Sequence, residues 1–185
     1  FIIGDSHAMN LYNIFSYSKK YPFIIGISDG ACRIHDFSSL CYYDDLVNFL
    51  KEELFNNANI IYHQTGKYFI ATKETLRKYG INIPDKNNIN FQSQNINKIT
   101  NFLTKLKSLN QNVIWLGPRI EYGINPTLQM TKIYELPRAN IKLFSELDKS
   151  IKDLLEKIDF NDYVAFSDFY QIGENVLNDE CLIWK

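Results

Sequence analysis

Five consecutive residues near the start of the chain, Gly4-Asp5-Ser6-His7-Ala8, place a carboxylate, a hydroxyl and an imidazole side by side. A serine so placed can attack an ester carbonyl, provided that a base takes its proton and N–H groups stabilise the oxyanion. The run before it, Phe1 to Ile3, is apolar and reads as a buried strand, while Ala8, Leu11, Tyr12 and Phe15 recur as one face of a helix. Ser6 therefore stands at a strand-to-helix turn, where two roles are open to it. Its hydroxyl can cap the helix by accepting from one of the first free backbone N–H groups. It can also act as a nucleophile, presented at the C-terminal edge of a sheet beside the positive end of the helix dipole.

The rest of the chain has to supply that sheet. Tyr21 to Ile27 reads as a second strand, followed by the turn signal Ser28-Asp29-Gly30. Tyr43, Leu46, Val47 and Leu50 recur at helical spacing, and Asn59 to Tyr62 forms a third apolar run that ends in His63-Gln64-Thr65-Gly66. Beyond it the pattern predicts a short helix over Thr72 to Tyr79 and an exposed loop over Gly80 to Asn90. A helix bearing Ile96, Ile99, Phe102, Leu103 and Leu106 comes next, then a fourth strand, Val113 to Leu116, closed by Gly117-Pro118. A long loop through Pro126 and Pro137 precedes a helix carrying Ile141, Phe144, Leu147, Ile151 and Leu155, and Tyr163 to Phe166 reads as a fifth strand. Strand and helix alternate, so the expected fold is a single three-layer α/β/α domain over residues 1–185 with a mostly parallel five-stranded sheet. In such a sheet, ligands gather outside the carboxyl ends of the strands. The loops at Ser6, Gly30, Gln64 and Gly117 all leave those ends.

Gly4-Asp5-Ser6-His7-Ala8 directly after a strand resembles the first sequence block of the SGNH/GDSL hydrolase-like superfamily. Its His-Ala ending is most similar to the SGNH domains that accompany bacterial membrane sugar O-acyltransferases. Asn112-Val113-Ile114-Trp115-Leu116-Gly117-Pro118-Arg119-Ile120-Glu121-Tyr122-Gly123 resembles a second element of those domains, an apolar strand followed by Gly-Pro. The resemblance implies a flavodoxin-like SGNH fold and a serine acyl-enzyme built on Ser6. It also implies an oxyanion hole from the backbone N–H groups of Ser6 and Gly30, where the alternative for Gly30 is an ordinary turn glycine. The family's third donor is an Asn after the third strand; Gln64 stands in its place, with an amide that can donate in the same way. Arg119 and Glu121 are candidate substrate contacts or a structural ion pair.

The family takes its base from an Asp-x-x-His block near the C-terminus, which this sequence lacks. The run from Asp162 to Trp184 resembles the segment that leads into that block, so the chain reads as a fragment of a longer protein. A second explanation is a domain without a base, hence a catalytically inactive glycan-binding module. A third is that His63 on the rim, or His35 beside Asp36, substitutes as base; His63 is also a candidate substrate contact. His7 runs into the helix. By resemblance the reaction is transfer of an O-acyl group, with acetyl the expected group, to a cell-surface polysaccharide, or its removal as an esterase. The partner implied is a membrane acyltransferase domain, in the same chain or beside it, in a periplasmic or extracytoplasmic setting tethered through an N-terminal transmembrane region that the sequence does not include.

Composition narrows the alternatives. A net charge of -1, with Lys and Arg scattered, lacks the footprint of a nucleic-acid binder. No run approaches the roughly 18 apolar residues of a membrane span. Cys32, Cys41 and Cys181 are too few and too irregular for a metal site, and neither a metal nor an organic cofactor is expected. Cys32 and Cys41 are near enough in sequence to pair in an oxidising compartment; free thiols are the other state. A cytoplasmic flavodoxin-like binding protein is a further rival, because fold does not determine function.

Overall fold

The computed structural model describes residues 1–18, 20–21, 23–28, 33–36, 41–70, 91–118 and 136–169. Five strands form one sheet in the order β2-β1-β3-β4-β5, and every pairing is parallel. The strands are β1 (Ile2–Gly4), β2 (Gly26–Ser28), β3 (Asn59–His63), β4 (Asn112–Leu116) and β5 (Tyr163–Val164). This is the flavodoxin-like order, with the reversal of direction between β1 and β3. Helix α1 (Ser6–Tyr17) joins β1 to β2; α2 (Tyr43–Phe49) precedes β3; α3 (Lys67–Ile70) and α4 (Ser93–Lys107) lie between β3 and β4; α5 (Leu136–Glu156) leads to β5. Right-handed crossovers that step one way from β1 to β2 and the other way from β3 onward put α1 on one face and α4 and α5 on the other.

The second face holds the core. Ile60 and Tyr62 of β3 and Val113 and Trp115 of β4 alternate inward to meet Ile96, Ile99, Leu103 and Leu106 of α4 and Leu147 and Ile151 of α5, all of them buried. Helix α4 shows the 3.6-residue apolar repeat read from sequence, and Lys105 and Lys107 in its last turn complement the dipole. The α1 face is lighter. Ala8 is the one buried residue of α1, and Ile114 of β4, which points to that side, is 43% exposed.

Several boundaries differ from the sequence reading. β2 covers Gly26–Ser28 because its ladder matches the three residues of β1, Ile2 to Gly4, so the strand begins later than the expected run Tyr21 to Ile27. β3 extends to His63, which pairs with Gly4. β5 stops at Val164, and Phe166–Phe169 turn into a 3-10 helix. Helix α5 starts at Leu136, before the proline assigned to the loop: Pro137 sits in the first turn, where a missing N–H costs no helical bond. The short helix α3 was not anticipated. The expected helix over Thr72 to Tyr79 and the loop over Gly80 to Asn90 lie outside the described residues.

Candidate functional site

The β1–α1 turn is built around Asp5 rather than Ser6. Asp5 is the N-cap, in extended conformation, and its Oδ1 accepts from the His7 N–H at 3.0 Å. Oδ2 accepts from the Thr65 N–H at 3.1 Å, and Arg33 Nε lies 3.4 Å from the same oxygen. The carboxylate is completely buried. It therefore ties together the segments that follow β1, β2 and β3. The Arg33 guanidinium also lies over the Tyr68 ring, 4.0 Å from its centroid, a cation–π arrangement.

With the cap supplied by Asp5, the capping role that the sequence left open for Ser6 is taken. Ser6 is the first residue of α1 and is half-buried; its hydroxyl has no hydrogen-bond partner among the described residues. Its backbone N–H stands at the positive end of the helix dipole. Gly4 sets the turn from the other side. At φ +145° it holds a conformation that side chains rarely adopt, and a Cβ there would run into the His63 carbonyl oxygen and lie 3.0 Å from Ala8 Cβ. β1 can approach β3 and α1 this closely because residue 4 has no side chain.

The other sequence candidates divide. Gln64, expected as an oxyanion donor, is turned into the core: its Oε1 accepts from the Tyr62 hydroxyl, and its Nε2 meets His35 Nδ1 at 3.4 Å and the Thr65 carbonyl at 3.5 Å. Burial raises the Tyr62 pKa well above its usual value, and its hydroxyl is the buried donor that Gln64 Oε1 accepts from. His63, expected as a substrate contact or base, is 2% exposed. Its Nδ1 donates to the Leu116 carbonyl at 3.2 Å, which leaves Nε2 the acceptor in the neutral ring. The ring stacks on Phe166 at 5.6 Å and lies 6.0 Å from the His7 ring. No hydrogen bond joins it to Ser6. Gly30, Arg119 and Glu121 lie outside the described residues.

His35 sits in the turn after β2, as expected of a loop residue, and is buried beside this network. Its pKa falls to about 4, first through burial and then through the Arg33 cation, with Asp36 pulling the other way and Lys98 adding to the fall. The imidazole is therefore neutral at pH 7. A groove of about 490 Å³ opens beside it, lined by Ile34, His35, Asp36, Lys98, Asn101 and Phe102. Lys98 Nζ closes one side by donating to the His35 carbonyl at 3.3 Å.

A second buried carboxylate stands at the far end of the same rim. Asp148 of α5 is 1% exposed and accepts from the Tyr163 hydroxyl. Gly117, just past β4, passes against both: a Cβ there would lie 2.8 Å from Asp148 Oδ1. Burial, followed by the charge of Asp148, raises the Tyr163 pKa well above its usual value. Neither Asp148 nor the Asp5–Arg33–Thr65 cluster was anticipated. An Asp immediately before a helix is as good an N-cap as Ser, so residue type alone could have marked Asp5.

Among the described residues no group of three His, Cys, Asp or Glu side chains could hold a metal ion, and no helix is long and apolar enough to cross a membrane. Cys41 is disulfide-bonded; the other two cysteines lie outside the described residues. Compared with known proteins, the chain matches no family model, no curated protein and no solved structure.

Proposed function

We propose that this chain is an SGNH-type domain that transfers an O-acyl group, acetyl in the first instance, to a cell-surface polysaccharide, or removes it, through an acyl-enzyme on Ser6. The observation that carries the reading is the division of labour at the β1–α1 turn: Asp5 caps the helix, and the Ser6 hydroxyl stays uncommitted at the carboxyl edge of a parallel sheet. Ser6 Oγ attacks the ester carbonyl and gives its proton to a base. The carbonyl oxygen takes the negative charge beside the Ser6 N–H, and collapse expels the alcohol and leaves acyl-Ser6. Attack by a sugar hydroxyl completes transfer; attack by water completes hydrolysis. By resemblance the base is the His of an Asp-x-x-His block, which the sequence does not contain. The disulfide at Cys41 supports an oxidising, extracytoplasmic setting, consistent with work beside a membrane acyltransferase.

A catalytically silent glycan-binding domain is favoured by one observation: Gln64, the expected third oxyanion donor, spends its amide on His35 and the Thr65 carbonyl. Treatment with an activated alkyl phosphonate separates the two. The enzyme forms one covalent adduct on Ser6, seen by intact mass and peptide mapping and abolished in Ser6→Ala. Absence of any adduct, in protein that extends through an Asp-x-x-His block, rejects the enzyme.

A further inference from the structure

We propose that Arg33 is a positioning residue for Ser6, acting through Asp5; its catalytic part rests on the acyl-enzyme reading above. Asp5 has two directional tasks, one oxygen on the His7 N–H and the other on the Thr65 N–H. A fully buried carboxylate keeps such a place only when its charge is compensated. Arg33 supplies that charge from a side chain 12% exposed and braced on the Tyr68 ring. Ser6 follows Asp5 directly in the chain, so a carboxylate that turns or tilts carries the Ser6 hydroxyl and N–H with it. Displacements near 1 Å at a reacting group cost about a hundredfold in rate. Arg33 thereby links the segment after β2 to the orientation of the nucleophile without touching substrate.

The test is the second-order rate of Ser6 phosphonylation in the wild type, Arg33→Ala and Arg33→Lys, alongside hydrogen exchange at the His7 and Thr65 amides. Arg33→Ala is expected to label about 10- to 100-fold more slowly with an unchanged far-UV spectrum. Arg33→Lys, which keeps the cation, should return to within about threefold of wild type. Equal labelling of Arg33→Ala and wild type overturns the proposal, as does a lysine variant no better than alanine. If Arg33→Ala does not fold, Tyr68→Leu removes the brace and should slow labelling about threefold or more; an unchanged rate overturns the proposal. If wild-type Ser6 does not label, the acyl-enzyme reading and the catalytic part fall together. The anchoring of the turn is then decided by exchange: about tenfold faster at His7 and Thr65 in Arg33→Ala supports it, and unchanged exchange refutes it.

Discussion

Two fully buried carboxylates stand at opposite ends of one rim, and they are held differently. Asp5, just past β1, has two backbone N–H donors and a guanidinium. Asp148, beside β4 and β5, takes a phenol hydroxyl and backs onto Gly117. The His7 N–H is held by α1 and the Thr65 N–H lies two residues past β3, so Asp5 can set the relative position of three chain segments. A phenol on a rotatable side chain fixes a packing contact. The first arrangement suits a turn in which a hydroxyl must be aimed; the second suits a joint between a helix and an edge strand.

The difference is best broken at Asp5. Asp5→Ala is expected to cost about 3–5 kcal/mol in chemical denaturation, because it uncaps α1 and leaves the Arg33 charge buried without that partner. Next in size is a pH effect confined to the Asp5 side. His35 takes up a proton near 6.5 when unfolded and at about 4 when folded. Between those values the unfolded chain binds more protons, so stability rises with pH from about 4 to 6.5 and is level above, by roughly 3 kcal/mol at most. Thermal melts of His35→Gln should lose that slope. At the Asp148 end Tyr163 titrates far above neutrality and contributes no slope there. Tyr163→Phe is expected to cost about 1–2 kcal/mol, with a coupling to Asp148→Asn of at least about 0.5 kcal/mol in a double-mutant cycle. A coupling near zero would mean that the phenol and carboxylate only share space. Ser6→Ala should change stability by less than about 0.5 kcal/mol while abolishing phosphonate labelling, since its hydroxyl bonds no described residue. A loss of several kcal/mol would return Ser6 to a structural role.

The layers of the fold could be read in the sequence wherever periodicity ran long. Helix α4 and the inward alternation of Val113 and Trp115 follow from apolar spacing, and the parallel sense of the sheet follows from the alternation of elements. Boundaries set by a partner could not be read: β2 ends up short because β1 offers three ladder positions, and Pro137 belongs to a helix because its first turn needs no N–H there. At the rim, Ser6 and its place at a turn were legible, since a strand and a helix flank it closely. Asp5, Arg33 and Thr65 were not, because their meeting depends on three strand exits converging, which no local pattern records. Gln64 failed for a related reason. Whether an amide faces the rim or the core depends on Tyr62 and His35, residues whose burial emerges only in the packed structure.

The interior position of β1, between β2 and β3, also governs when the site can exist. The Thr65 N–H reaches Asp5 across 60 positions of sequence, and β1 finds its β3 neighbours, Ile61 to His63, at nearly the same separation. Contacts that distant must meet the entropy of closing a long loop before they return any stability, which makes them slow to form. During synthesis the serine emerges well before β3, and the edge that would aim it closes only after β3 and Thr65 have been made. A nascent chain halted before that point carries the hydroxyl without a site, which ties any acyl chemistry to completion of the sheet's centre.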